Sequence, residues 1–163
     1  MSHYLHINGQ RLIDSLFALG ECGALEGGGV CRLAATPEDK VGRDFVVSRM
    51  KALGLAVSID AIGNVTGIYA GEEELPMVMM GSHIDTVGTG GLYDGNYGVM
   101  AGLEVIATLQ DAGIRPRRPL AVTFFTNEEG VRFQPDMMGS VVFAGEYPLE
   151  QALAAKDRDG VTL

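Results

Sequence analysis

A chain of 163 residues is long enough for one domain with a buried core, since a domain of about this size hides roughly 68–70% of the surface its unfolded chain exposes. Its 12 Lys and Arg stand against 21 Asp and Glu, and the net charge of -9 argues against a nucleic-acid groove or attraction to an anionic membrane surface. The start, MSHYLHINGQRLIDSLFALG, has no basic leader segment and its apolar stretch is broken by Asp14, so neither a signal peptide nor a membrane span fits and a cytoplasmic location is expected. Cys22 and Cys31 lie too far apart for a CxxC metal knuckle and are expected to be buried or free thiols. His3 and His6, near the terminus, receive no role.

In chain order, a first helix is expected from near Asn8 to Gly20, followed by the irregular, Gly-rich EGGGVCRLAAT. Thr36 as N-cap, Pro37 in the first turn, Glu38 and Asp39 where the helix dipole favours acids, and Gly54 as the stop mark a second helix. Val41, Phe45, Arg49 and Ala52 share one of its faces. Leu55–Asp60 and Val65–Ala70 read as strands around the Ile62-Gly63-Asn64 turn, and the acidic Gly71–Leu75 as a solvated loop. The apolar run Met77–Met80 suits a buried central strand. After it come a loop from Ser82 to Asn96 and a helix carrying Val99, Gly102, Leu103, Ile106 and Leu109, ended by Asp111-Ala112-Gly113. Leu120–Phe125 reads as a second buried strand running into Thr126-Asn127-Glu128-Glu129. The alternation predicts an α/β fold, and its centre a βαβ unit whose two strands each end in a loop dense with His, Asp and Glu.

The first of those loops is GSHIDTVGTGGLYDGNYGV. His83 and Asp85 are two apart at a strand end, so both side chains can point to one side, one binding metal while the other orients it. Asp94 follows nine residues after Asp85 in a stretch made pliable by glycines, which can carry its carboxylate back beside the histidine. In the second loop Glu128 and Glu129 are adjacent and leave the strand in different directions, which suits one for a metal and the other for a general base. A lone histidine or an isolated Glu-Glu pair is more often a solvated surface feature. Their joint placement on neighbouring strand ends is what points to a cation site, because acidic clusters beside buried strands repel without one. Imidazole in the set favours Zn2+, Mn2+, Co2+ or Ni2+ over Ca2+. A phosphate cradle fits poorly, since there is no GxGxxG with the right gaps, no GK[ST], and an Asp in mid-loop.

CRLAATPEDKVGRDFVVSRMKALGL, DAIGNVTG, GSHIDTVGTGGLYDG, TNEEGVRF and MMGSVVFAG resemble, in order and spacing, the aminoacylase and carboxypeptidase-type (M20-type) dinuclear metallopeptidase superfamily. The likeness is nearest to its N-carbamoyl-L-amino-acid hydrolase and allantoate amidohydrolase branch, and it covers essentially the whole chain. It implies a three-layer α/β/α catalytic domain with a largely parallel mixed sheet, of which residues 1–163 would be the N-terminal portion. It further implies two divalent metal ions, with His83 on one, Asp94 bridging both, Glu129 on the second, Glu128 as general base and Asp85 as the orienting carboxylate. Asn127, Arg132, Phe133 and Ser140 match positions that shape the edge of the site.

Members of that branch are more than twice as long, draw one further histidine per metal from downstream, and form homodimers through a small dimerisation domain. No histidine follows His83 here. The resemblance therefore implies a fragment with weak metal affinity and little activity alone. The substrate class expected of the complete enzyme is an N-carbamoyl amino acid or another ureido compound, with allantoate, dipeptides and acylated amino acids as alternatives. The rival of another class is a non-catalytic module that self-associates or pairs with another chain through an unfinished sheet edge.

Overall fold

The computed structural model describes residues 4–163, and His3 lies outside that range. The elements run α1 (Gly9–Gly20), α2 (Pro37–Ala52), β1 (Ala56–Ile59), β2 (Val65–Tyr69), β3 (Val78–His83), α3 (Asn96–Asp111), β4 (Leu120–Phe125), α4 (Met138–Phe143) and α5 (Leu149–Leu153). No helix among the described residues is long and apolar enough to cross a membrane.

Local chemistry explains the first two helices. Asn8 caps α1 by accepting the Arg11 N–H, and Leu12, Leu16 and Leu19 form its buried stripe. Thr36 caps α2 by accepting the Asp39 N–H, and the acids of its first turn and bases of its last complement the dipole. The buried line of α2 is Gly42, Val46 and Met50, one position away from the expected face, while Val41 is exposed. The shift follows from Arg32, whose Cδ would stand 2.6 Å from a Cβ at position 42, so the helix turns its glycine to that side chain.

The sheet has the order β1-β2-β4-β3. β1 and β2 form an antiparallel hairpin whose turn is closed by the Asp60 carboxylate, which accepts the Ile62 and Asn64 N–H groups at 3.1 and 2.8 Å. β2 pairs antiparallel with β4, and β4 parallel with β3, His83 lying opposite Phe125. The expected mixed sheet is thus present, with parallel pairing among these strands confined to the β3-α3-β4 unit.

One core joins α1, α2 and α3 to the sheet face that carries Val65, Val122 and Phe124. Against the other face, Phe143 of α4 meets Phe125 edge to face at 5.6 Å. A second, smaller core of Ala34, Ile62, Phe133, Met138 and Ala152 sits beneath α4 and α5, two short helices that the sequence pattern did not announce.

β4 is buried as expected, but β3 is not the central strand its apolar run suggests. It is the edge of this sheet, and Val78 and Met79 are exposed. Strand order is the reason: β4 inserts between β2 and β3, so one side of β3 has no neighbour among the described residues.

α1 and α3 are joined by Arg11, which donates to Glu104 at 2.7 and 2.8 Å and to Asp111 at 2.7 Å. Burial pushes the Glu104 carboxyl up, but hydrogen bonds from Arg11, the Asn8 N–H and Thr108 outweigh it and hold the group below the usual carboxylate range. A depressed carboxyl stabilises the fold above its unfolded pKa, and that contribution is lost as pH falls through the lower folded value. Glu104→Gln is therefore expected to cost about 1–2 kcal/mol at pH 7, allowing for solvent screening on the half-exposed arginine. Thermal melts should show the gap to wild type closing below about pH 4, the region of an unperturbed Glu. A gap independent of pH would contradict the charged pairing.

Candidate metal centre

The carboxyl ends of β3 and β4 sit side by side, and the candidate residues leave the sheet there. His83 is the last residue of β3 and is buried at 5% exposure. Its Nδ1 lies 2.9 Å from the main-chain carbonyl of Asp85, which fixes the ring and leaves Nε2 facing the acids. Nε2 stands 3.4 Å from Glu128 Oε2 and 4.0 Å from Asp94 Oδ1. Ligand atoms of His83, Asp94 and Glu129 all lie within 4.8 Å of one another, and among the described residues this is the one such group of three.

Asp85 holds the second loop in place. Its carboxylate is 3.8 Å from His83 Nδ1 and accepts instead the N–H groups of Glu128 and Glu129, each at 3.2 Å. The orienting partner of His83 in this structure is thus the Asp85 carbonyl, while the carboxylate of the same residue pins both glutamates. Burial raises the Asp85 pKa, with those two N–H groups and His83 opposing. Burial also raises Glu129, His83 opposing and Asp94, Asp85 and Glu128 adding repulsion. A cation among these groups would relieve that repulsion, so the donor set fits a divalent metal.

Asp94 returns to His83 because Gly95 follows it. Gly95 has φ +66°, and a Cβ there would lie 2.5 Å from both nitrogens of the His83 ring. Asn127 also has a left-handed backbone, buried with φ +53°, a conformation asparagine tolerates better than most residues. Its amide donates to the carbonyls of Phe133 and Pro135 at 2.9 and 3.1 Å, folding Glu128–Pro135 into a closed loop.

Arg132 and Ser140, expected at the edge of the site, use their polar atoms elsewhere. Arg132 pairs with Asp157 at 3.0 Å, donates to the Ala34 and Ala35 carbonyls and lies over the Phe133 ring. The Ser140 hydroxyl donates to the Met137 carbonyl at 2.9 Å. Phe133 is buried in the smaller core.

Three buried residues are not singled out by the sequence pattern: Arg32 beside the first loop, and Thr86 and Asn96 within it. The available signal was a charged residue within the otherwise apolar VCRLAA.

A family model described as peptidase family M28 matches residues 64–161, which is more than half of the chain and includes both loops. The chain belongs to this family. Among its relatives, an N-carbamoyl-L-amino acid amidohydrolase from Geobacillus stearothermophilus is 43% identical over 158 residues, covering 96% of this chain and 38% of the relative. A ureidoglycolate hydrolase from Arabidopsis thaliana is 38% identical over 152 residues, covering 93% and 31%. The solved structure of a hydantoinase/carbamoylase family amidase from Burkholderia ambifaria superposes with TM-score 0.96 at 47% identity, covering 98% of this chain and 40% of that one. This M28-family chain thus spans well under half the length of these relatives. Their names agree with the branch to which the motifs point.

Proposed function

We propose that this chain carries half of a two-metal centre that hydrolyses the ureido C–N bond of N-carbamoyl-L-amino acids, as the N-terminal portion of a longer catalytic domain working in the cytoplasm. The observation that carries the proposal is the convergence of His83, Asp94 and Glu129 within 4.8 Å, with Glu128 beside them. The named relatives support the substrate class, and the two free cysteines fit a reducing compartment. Zn2+, Mn2+, Co2+ and Ni2+ all suit these donors.

His83 and Asp94 would hold one ion, and Asp94 and Glu129 the second. Divalent metals in such a pair lower the pKa of a water and polarise a carbonyl. Glu128 would take a proton at Oε2 from the attacking water as the water oxygen bonds to the ureido carbon. The C–N bond to the amino acid then breaks, and Glu128 returns the proton to the leaving nitrogen. The products are the free amino acid and a carbamate that decomposes to ammonia and carbon dioxide. Asp85 keeps Glu128 and Glu129 at their stations through their N–H groups.

Ureidoglycolate is a carbamoylated 2-hydroxyglycine and presents the same terminal ureido group on a carbon that bears a carboxylate, so it is the second substrate to try; a named relative favours it. A counterpart of the relatives' full length, loaded with Mn2+ or Co2+, should be assayed on N-carbamoyl-L-amino acids, ureidoglycolate, allantoate, N-acyl amino acids and dipeptides. The highest kcat/KM is expected on a carbamoyl amino acid. Turnover of dipeptides or acyl amino acids with none of the ureido compounds would overturn the assignment. The 163-residue chain alone is expected to bind metal weakly and to show no turnover, because each ion has two of its protein ligands here.

A further inference from the structure

We propose that Arg32 is a positioning residue for the metal centre, its guanidinium fastening both arms of the loop that carries His83 and Asp94. Arg32 is fully buried, at 0% exposure. Every side-chain partner it has is neutral. Nε donates to the Ile84 carbonyl at 2.7 Å and Nη2 to Asn96 Oδ1 at 2.9 Å. Nη1 donates to the carbonyls of Leu19 and Cys22, at 2.9 and 2.5 Å, at the end of α1. Its main chain adds two bonds to the same loop, N–H to Thr86 Oγ1 at 2.8 Å and C=O from the Thr86 N–H at 2.9 Å.

A buried charge without a carboxylate partner is costly, and here burial draws the pKa of the group down. The fork of fixed donors meets that cost with four acceptors at once, which a lysine ammonium on a flexible stem cannot reproduce. Two of those acceptors sit on the metal loop itself. Ile84 immediately follows His83, so holding its carbonyl sets the peptide plane from which the imidazole is presented. Asn96 lies two residues after Asp94, its N–H donating to the Asp94 carbonyl at 2.6 Å and its side-chain amide to the Leu92 carbonyl at 3.2 Å. One planar group therefore spans the outgoing and returning arms of the loop, behind the two ligands. The glycine at position 42 provides the room for it.

A purely architectural Arg32, tying α1 to the sheet through Leu19 and Cys22, would affect melting temperature and leave metal affinity alone. The proposal rests on the metal centre described above, and the test separates the two failures. Co2+ titrations followed by visible absorption, with thermal melts, are run on a counterpart of the relatives' full length and on its Arg32→Lys, Asn96→Ala and Glu104→Gln variants. Arg32→Lys is expected to weaken Co2+ binding by about 10–100-fold, the range for residues that orient ligands. Asn96→Ala, which keeps the bonds from Arg32 to Leu19, Cys22 and Ile84, is expected to weaken it about tenfold by the same reasoning. Glu104→Gln is destabilised elsewhere and should bind Co2+ as wild type does. Wild-type affinity in both loop-directed variants with lowered melting temperatures overturns the proposal. Should Arg32→Lys not fold, unchanged affinity in Asn96→Ala overturns it alone. A full-length counterpart that binds no Co2+ removes the metal centre, and Arg32's role with it.

Discussion

Replacing Glu128 by Gln in an active counterpart of the relatives' full length is expected to lower kcat by about 100- to 10,000-fold, the usual contribution of a general acid-base group. Metal content should remain that of wild type. The expectation follows from how the two adjacent glutamates differ. Glu129 completes the group of three ligand atoms, whereas Glu128 stands 3.4 Å from His83 Nε2, on the same side but outside that triad. Glutamine keeps the length and one acceptor of Glu128 but cannot take a proton, and its N–H to Asp85 is a main-chain bond that survives the change. Glu129→Gln should do the opposite and lose metal first. If Glu128→Gln strips the metal as fully as Glu129→Gln does, the two glutamates do not divide the work between them. Metal analysis beside single-turnover kinetics reads both outcomes.

Gly95→Ala is expected to weaken Co2+ binding to the 163-residue chain by about 10–100-fold, comparable with the loss of a ligand-orienting partner. Two effects act together. The new methyl would arrive 2.5 Å from the His83 ring nitrogens, and the backbone there has φ +66°, which alanine adopts only under strain. The methyl and the imidazole cannot occupy their present positions, so either His83 rotates away or the arm bearing Asp94 retreats. Gly91→Ala, in the same loop, meets nothing within 4 Å and serves as the control. Equal affinity in Gly95→Ala and Gly91→Ala would mean that the ligands do not depend on this close approach.

Such close approaches lie beyond the reach of sequence reading, whereas local signals lie within it. α2 is legible because each of its signals is local: a Thr cap, a Pro in the first turn, acids at one end and bases at the other. The βαβ unit is legible for a related reason, since an apolar strand, a helical repeat and another apolar strand occur in order. Burial of β3 is not legible, because Met77–Met80 reads the same whether the strand has one neighbour or two, and strand order alone decides that. α4 and α5 are short and carry no side-chain cap, so tertiary packing over Phe133 and Met138 sets them. In the site, residue types and spacing point to His83, Asp94 and the Glu128-Glu129 pair without dividing the pair's roles, and the convergence of His83, Asp94 and Glu129 depends on the backbone at Gly95. The division within Asp85, carbonyl to the histidine and carboxylate to the glutamates, is visible only in three dimensions. Arg32 is further still from view: its partners Ile84 and Asn96 lie 52 and 64 residues away along the chain.

The parallel pairing that sets His83 opposite Phe125 has a consequence for how such a chain can change length over time. Side chains alternate between faces along a strand, so inserting or deleting one residue in β3 or β4 would send His83 or the Glu128-Glu129 pair to the wrong side, or move it along the strand by about 3.3 Å. Either displacement is enough to part the two loops. A change of length is therefore expected to be tolerated better in a segment such as the acidic turn from Gly71 to Leu75, which precedes β3 and supplies nothing to the centre.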